Sequence, residues 1–301
     1  MARFALDRLQ LAFAVVNAIA AVVTAFLVVI DDRTILGEPL WMKPFKFFIS
    51  AALLSLSLSY LVPRISKAPR TTRIASITIV VCLTVELVLI TSAAAAETTS
   101  HFNVTSPAAT AVWSAMAWFI TVLWFATMVL TVMFIRSPGV DQVMKRAFTW
   151  GLVVSIVGMG VAFLMTSPTA EQLGDFQGVA GAHTVGSEDG GPGIPLFGWS
   201  TVAGDLRVPH FVGLHALQLI PLAVFFLRTK ISVTGVNFIG VGYLLVVGLL
   251  TAQALAGQSV VAPSPALVLG IIAAIAVPLT AALIRGPRAE TDVESERPVP
   301  S

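Results

Sequence analysis

The sequence predicts an all-α polytopic transmembrane helical bundle of about eight spans, and three observations predict it. Apolar residues make up 56% of the 301-residue chain and charged residues 11%, where a soluble domain carries about 25% charged residues. Apolar stretches long enough to cross a bilayer recur at roughly 10–30, 44–63, 74–97, 107–135, 147–167, 209–228, 235–256 and 264–285, each near the ~20 residues a span requires. The connections between them alternate in charge.

That alternation orients the chain. Arg3 and Arg8 precede the first stretch. Arg64, Lys67, Arg70 and Arg73 follow the second, and Arg136, Lys145 and Arg146 follow the fourth. Arg228 and Lys230 follow the sixth, and Arg285, Arg288 and Arg297 follow the last. Only Arg33, Lys43, Lys46 and Arg207 fall on the other side. Cationic connections stay in the cytoplasm, so both termini are expected inside a bacterial inner membrane. The expected organisation is one transmembrane domain over 1–285, with a long extracytoplasmic lid loop at 168–208. A Pro-rich, charged tail without aromatics, 286–301, is expected to be disordered in the cytoplasm.

Several classes are excluded. A single cysteine, Cys82, permits neither an intrachain disulfide nor a CxxC metal site. A formal charge of +2 points to no nucleic-acid partner. The first stretch is long enough to span and lacks a processing pattern, so no cleavable signal peptide is expected.

Taken in order, the first span places Asn17, Thr24 and Asp31 seven residues apart on one helix face, where Asn17 and Thr24 suit hydrogen bonds between helices. The second opens with Trp41-Met42-Lys43-Pro44-Phe45-Lys46, with Pro44 in the first turn. One lysine suits snorkelling beside a tryptophan anchor. Two cations on the cation-poor side point to an anionic partner. The third span carries Glu86 near its middle, where a charge costs at least about 2.5 kcal/mol and a carboxylate is a functional candidate. If the helix persists, Glu97 falls within about 20° of Glu86 and His101 within about 60°. That arrangement would run one polar face from mid-membrane to the outer mouth. Ser106-Pro107 suits the start of the fourth span.

The stretch from Ser167 to Pro221 concentrates the chemistry. It holds His183, His210 and His215 of the four histidines, with Glu188, Asp189, Asp205 and Arg207. Large apolar residues between its turns (Phe176, Ile194, Leu196, Phe197, Trp199) predict a compact lid over the outer mouth. Ser187-Glu188-Asp189-Gly190-Gly191-Pro192-Gly193 is turn chemistry, without the ligand pattern of a calcium loop or the Gly-Lys-Ser/Thr of a phosphate loop. On the sixth span, Arg207, His210, His215 and Gln218 spread over an arc of roughly 140°. Pro221 should kink that helix and free a carbonyl.

WMKPFKF, SHFN, HTVG, DGGPG and GDLRVPHFVGLHALQ resemble segments of a group of bacterial polytopic membrane proteins with no assigned function. The resemblance covers most of Trp41 to Pro221 and implies a shared fold. A looser resemblance is to membrane hydrolases of the ceramidase and adiponectin-receptor type, which hold zinc with three histidines near one membrane face. The closely spaced histidine pair of their last span is missing here.

Three functional expectations follow. In the first, His101, His210, His215 and His183 hold a zinc-like metal ion that activates water, with Glu97 or Asp205 as base, for a lipid or other amphipathic small molecule. In the second, His101 and His215 are axial ligands of a haem b whose propionates meet Lys43, Lys46 and Arg207, with Gln218 nearby. In the third, Glu86 carries a proton in a transporter. In all three the lipid bilayer is the surrounding partner.

Overall fold

The computed structural model describes residues 6–139 and 141–284; the tail expected at 286–301 lies outside them. Eight helices are long and apolar enough to cross a membrane. They are α1 (Arg8–Ile30), α2 (Met42–Leu61), α3 (Pro69–Ala95), α4 (Pro107–Arg136), α5 (Gln142–Met165), α7 (Arg207–Leu227), α8 (Val233–Leu255) and α9 (Pro265–Ile284). A short helix α6 (Ala170–Gly174) and four two-residue strands complete the chain: β1 (Thr34–Ile35), β2 (Glu38–Pro39), β3 (Thr184–Val185) and β4 (Gly204–Asp205). The shortest spans, α2 and α9, have 20 residues and so reach about 30 Å. Ser106 starts α4 as expected. Ser106 Oγ accepts the Ala109 N–H on α4, and Asp141 and Ser232 cap α5 and α8 in the same way. Two spans begin earlier than hydropathy alone implied: α3 takes in Arg70 and Arg73, and α5 takes in Lys145 and Arg146. Cations at a water-facing helix end do not break the backbone ladder; they only lower the apolar average.

Helices adjacent in sequence pair (α1 with α2, α3 with α4, α8 with α9), while α5 lies along α7. The α5–α7 crossing is closest at Gly158 and Gly213. A Cβ on Gly158 would lie 2.6 Å from the Gly213 backbone, so only glycine permits that approach. One core runs through Leu58, Ile79, Leu123, Leu152 and Leu217. A second runs through Ile220, Val224, Ile231 and Val247. The outward faces of α1 and α9 stay apolar and exposed, as a lipid-facing surface does. α7 is continuous through Pro221, which is buried. Asn17 and Thr24 are buried but bond to their own helix, at the Phe13 and Ala20 carbonyls. The expected bonds between helices are not made, because an i−4 carbonyl is nearer than any neighbouring helix group.

At one end of the bundle the 166–206 segment, termed the lid, folds back on itself through short backbone pairings. β3 pairs antiparallel with β4, Asn103 bridges Val179, and Gly193 bridges Ser200. The side-chain amide of Gln172 bonds both the N–H and the carbonyl of Gly181. Beneath the lid lies a third apolar cluster of Phe102, Val161, Met165, Leu206 and Ala254. Ser259 Oγ donates to the Ser200 carbonyl, tying the 256–264 loop to the lid as Asn103 ties the 96–106 loop.

Candidate functional site

Two groups of polar residues meet under the lid, and they differ in how fully they are bonded. The first is a clamp. Lys46, one turn into α2, donates to Glu38 Oε2 at 2.9 Å and to the Phe197 carbonyl at 3.1 Å. Arg207, at the start of α7, forks onto Asp205, with the shortest contact at 2.7 Å. It also donates to the Gly198 carbonyl and stands 4.0 Å from Glu38 Oε1. The Asp205 side chain is fully enclosed and also accepts the Ser200 and Arg207 N–H groups. Gly198 adopts φ +69, and a Cβ there would collide with Glu38, so a glycine is what lets the carboxylate reach the lid. Asp205 therefore has no free lone pair with which to act as a base, and Lys46 and Arg207 are already committed to carboxylates and lid carbonyls. Acting as the expected general base or propionate partners would require these bonds to be given up.

The second group, termed the chamber, is the set of side chains beneath the clamp: Lys43, Glu86, His101 and His183 with the aromatic rings around them. Lys43, on the first turn of α2, makes no hydrogen bond or ion pair with any described residue, and its field is felt at His101, His183 and Glu86. Glu86 is 4% exposed and its Oε1 is buried without a hydrogen-bond partner; Thr91 Oγ1, further along α3, is also unpartnered. By helical rise Glu86 lies about 14 Å below the end of α3. Phe47, four residues after Lys43 and on its face of α2, packs its ring 6.0 Å from that of His101. His101 also meets Trp113 at 5.5 Å and Phe102 at 6.0 Å, and Phe102 in turn meets His183 at 4.8 Å.

Each histidine is held through Nδ1. His101 shares a hydrogen bond with Ser100 Oγ at 3.0 Å. Burial first, then the charges of Lys43 and His183, hold its imidazole well below the usual pKa. His183 Nδ1 bonds Asp189 at 2.7 Å, and Asp189 also accepts the N–H groups of His183 and Thr184 and the Thr184 hydroxyl. Burial lowers the His183 pKa although Asp189 opposes it. Burial alone would raise the Asp189 carboxyl, but these hydrogen bonds outweigh it and hold the carboxyl below the usual range. His210 bonds the Gly158 carbonyl at 2.7 Å, at the α5–α7 crossing. His215 meets Gln218 Oε1 at 3.3 Å and the Phe211 ring at 4.3 Å, and Gln218 reaches Ser57 Oγ on α2.

These placements correct the shared-histidine expectation. Among the described residues no three His, Cys, Asp or Glu side chains form a group that could hold a metal ion. His210 and His215 are five residues apart, which is about 140° around the helix, so one turns to α5 and the other toward α2. His101 and His215 have different ring neighbours, and no zinc-like set is assembled from them among the described residues. Glu97 is corrected as well. α3 ends at Ala95, and Glu97 sits beyond it at φ +55, exposed and 2.7 Å from Arg33. It belongs to a rim network in which Arg33 also bonds Asp31, and Asp31 accepts the Trp41 indole N–H. The Arg33 guanidinium, then the Trp41 indole, hold the Asp31 carboxyl below its usual range.

Glu38 is the functional neighbour that sequence reading missed. Leu36 and Gly37, both at positive φ, mark a turn there. The turn signal says nothing of a partner 169 residues away. The chain matches no protein-family model, no curated protein and no solved structure.

Proposed function

We propose that the chain is a multi-pass protein of the cytoplasmic membrane, with the lid outside and the basic connections inside, and that it is a proton-coupled transporter in which Glu86 carries the proton. The distribution of Lys and Arg supports the orientation. The buried, unpartnered Oε1 of Glu86 carries the functional reading. A buried structural carboxylate is paired, as Asp205 is with Arg207. An ionised carboxylate at that depth costs at least about 2.5 kcal/mol, and a buried polar atom left without a bond costs about 1–3 kcal/mol. A group kept at that cost suits a site that must gain and lose a proton. Lys43 lies on the lid side of it, where an arriving charge would be felt first.

A hydrophobic carbodiimide, which adds to protonated carboxyls inside membranes, tests this reading. Mass spectrometry of treated membranes should find the adduct on Glu86, diminishing as pH is raised, and none in Glu86→Gln. An unmodified Glu86 at every pH, in protein whose exposed carboxyls do react with a water-soluble carbodiimide, would end the proton-carrier reading.

A further inference from the structure

We propose that the chamber under the lid binds an oxyanion group, carboxylate or phosphate, on the Lys43 ammonium beside His101 and His183. This deepens the transporter reading by naming the class of its cargo.

Lys43 differs from the other cations of the lid face. Arg33 is paired with Asp31 and Glu97, Lys46 with Glu38, and Arg207 with Asp205 and Glu38. Lys43 is half-buried and, among the described residues, has no hydrogen bond or ion pair. Its position is fixed from two sides. Lys46, three residues on, is tied to the lid at the Phe197 carbonyl. Phe47, four residues on, is packed on His101. By helical angle Lys43 therefore falls between Lys46 and Phe47, on the face of α2 that meets the lid clamp and His101. The carboxylates near it are already used. Glu38 is shared by Lys46 and Arg207, and Asp189 takes four hydrogen bonds from His183 and Thr184. An ammonium held among cations, with every lid-side carboxylate engaged, is short of one negative charge whenever Glu86, deeper on α3, is protonated.

The surroundings suit an oxyanion with an apolar body. The Ser100 hydroxyl donates to His101 Nδ1, which leaves the His101 Nε2–H to donate to an oxyanion, while His183 gives its Nδ1–H to Asp189, so its Nε2 is an acceptor for the protonated oxygen of a carboxylic acid or phosphate. Phe47, Phe102 and Trp113 ring His101 within 6.0 Å, giving an aromatic wall. Such a group arrives either on a soluble organic anion or as the headgroup of an anionic lipid entering from the bilayer.

The experiment measures the rate at which a water-soluble amine reagent modifies Lys43, read by mass spectrometry on the full chain. In neutral detergent the probes are inorganic phosphate and benzoate. In nanodiscs, phosphatidylglycerol is compared with phosphatidylcholine. At about ten times its Kd a bound anion slows modification about tenfold. Protection by phosphate or benzoate assigns a soluble cargo; protection only by phosphatidylglycerol assigns a headgroup. Thermal stabilisation by the same probes is the second readout, expected to be lost in Lys43→Gln and kept in Lys43→Arg. Absence of both protection and Lys43-dependent stabilisation for all three probes overturns the proposal. The two readings fail separately. Anion protection without a carbodiimide adduct on Glu86 leaves the site and removes the proton carrier, and the reverse result removes only the site.

Discussion

The clamp and the chamber lie within one turn of each other on α2 and are built on opposite terms. In the clamp every charge has a counter-charge: Lys46 with Glu38, Arg207 with Asp205, and the lid carbonyls of Phe197 and Gly198 as further acceptors. In the chamber, Lys43 makes no ion pair and Glu86 Oε1 makes no hydrogen bond. The difference separates residues that hold the protein together from residues that wait for something. Breaking a buried pair strands its partner and costs several kcal/mol. Removing a group that bonds nothing costs little, so whatever it does must show in function.

The largest expected effect is in the clamp. Asp205→Ala leaves Arg207 and the Ser200 N–H without their acceptor and should destabilise the protein by about 3 kcal/mol, the low end for a buried pair because Arg207 keeps some contact with water. Denaturation in detergent measures the loss, and protease cutting within 186–193 should show the lid released. A loss below about 1 kcal/mol would break the comparison, since the clamp would then be as dispensable as the chamber.

The next effect is a pH dependence of the lid. In the folded protein His183 and Asp189 both bind protons less readily than in an unfolded chain. Over the window in which the unfolded chain takes up these protons, it binds more than the native state, so stability rises with pH and falls on acidification. The His183 part is fully present above about pH 6.5 and is lost below it; the Asp189 part is lost later, as pH falls through the carboxylate range. Lid proteolysis should therefore accelerate as pH is lowered from about 7 to about 5, and His183→Gln should flatten that profile. A profile unchanged in His183→Gln would remove His183 from the account.

A smaller effect sharpens the contrast. Glu86→Leu removes a buried polar atom that has no partner and should change stability by less than about 1 kcal/mol, in either direction, while abolishing carbodiimide labelling. A loss as large as that of Asp205→Ala would mean that Glu86 is structural. Smallest of all is the rim. Glu97→Ala breaks an exposed pair with Arg33 and should fall within about 0–1 kcal/mol, a difference that thermal unfolding should barely resolve.

The eight spans, the Ser106 cap of the fourth and the side of the bundle that carries the histidines were legible in the sequence, because hydropathy, charge and a Ser-Pro helix start act within a few residues. The long connection between the fifth and sixth spans was legible as a folded segment, since its glycines and prolines are punctuated by large apolar residues. Glu86 was legible too, since a carboxylate amid twenty apolar residues has no ordinary surroundings. What the sequence left open was which polar groups meet. His101, His215, Glu97 and Asp205 look alike as titratable residues near one membrane face. The fold turns His215 to Gln218 and Phe211, exposes Glu97 beyond the end of α3, and saturates Asp205 with Arg207. Tertiary structure alone decided that Lys46 is paired and Lys43, three residues before it, is not. That outcome depends on Glu38 and the Phe197 carbonyl arriving from 8 and 151 positions away, and the pairing of charges across such separations is set by how helices and loops pack, which no local pattern encodes.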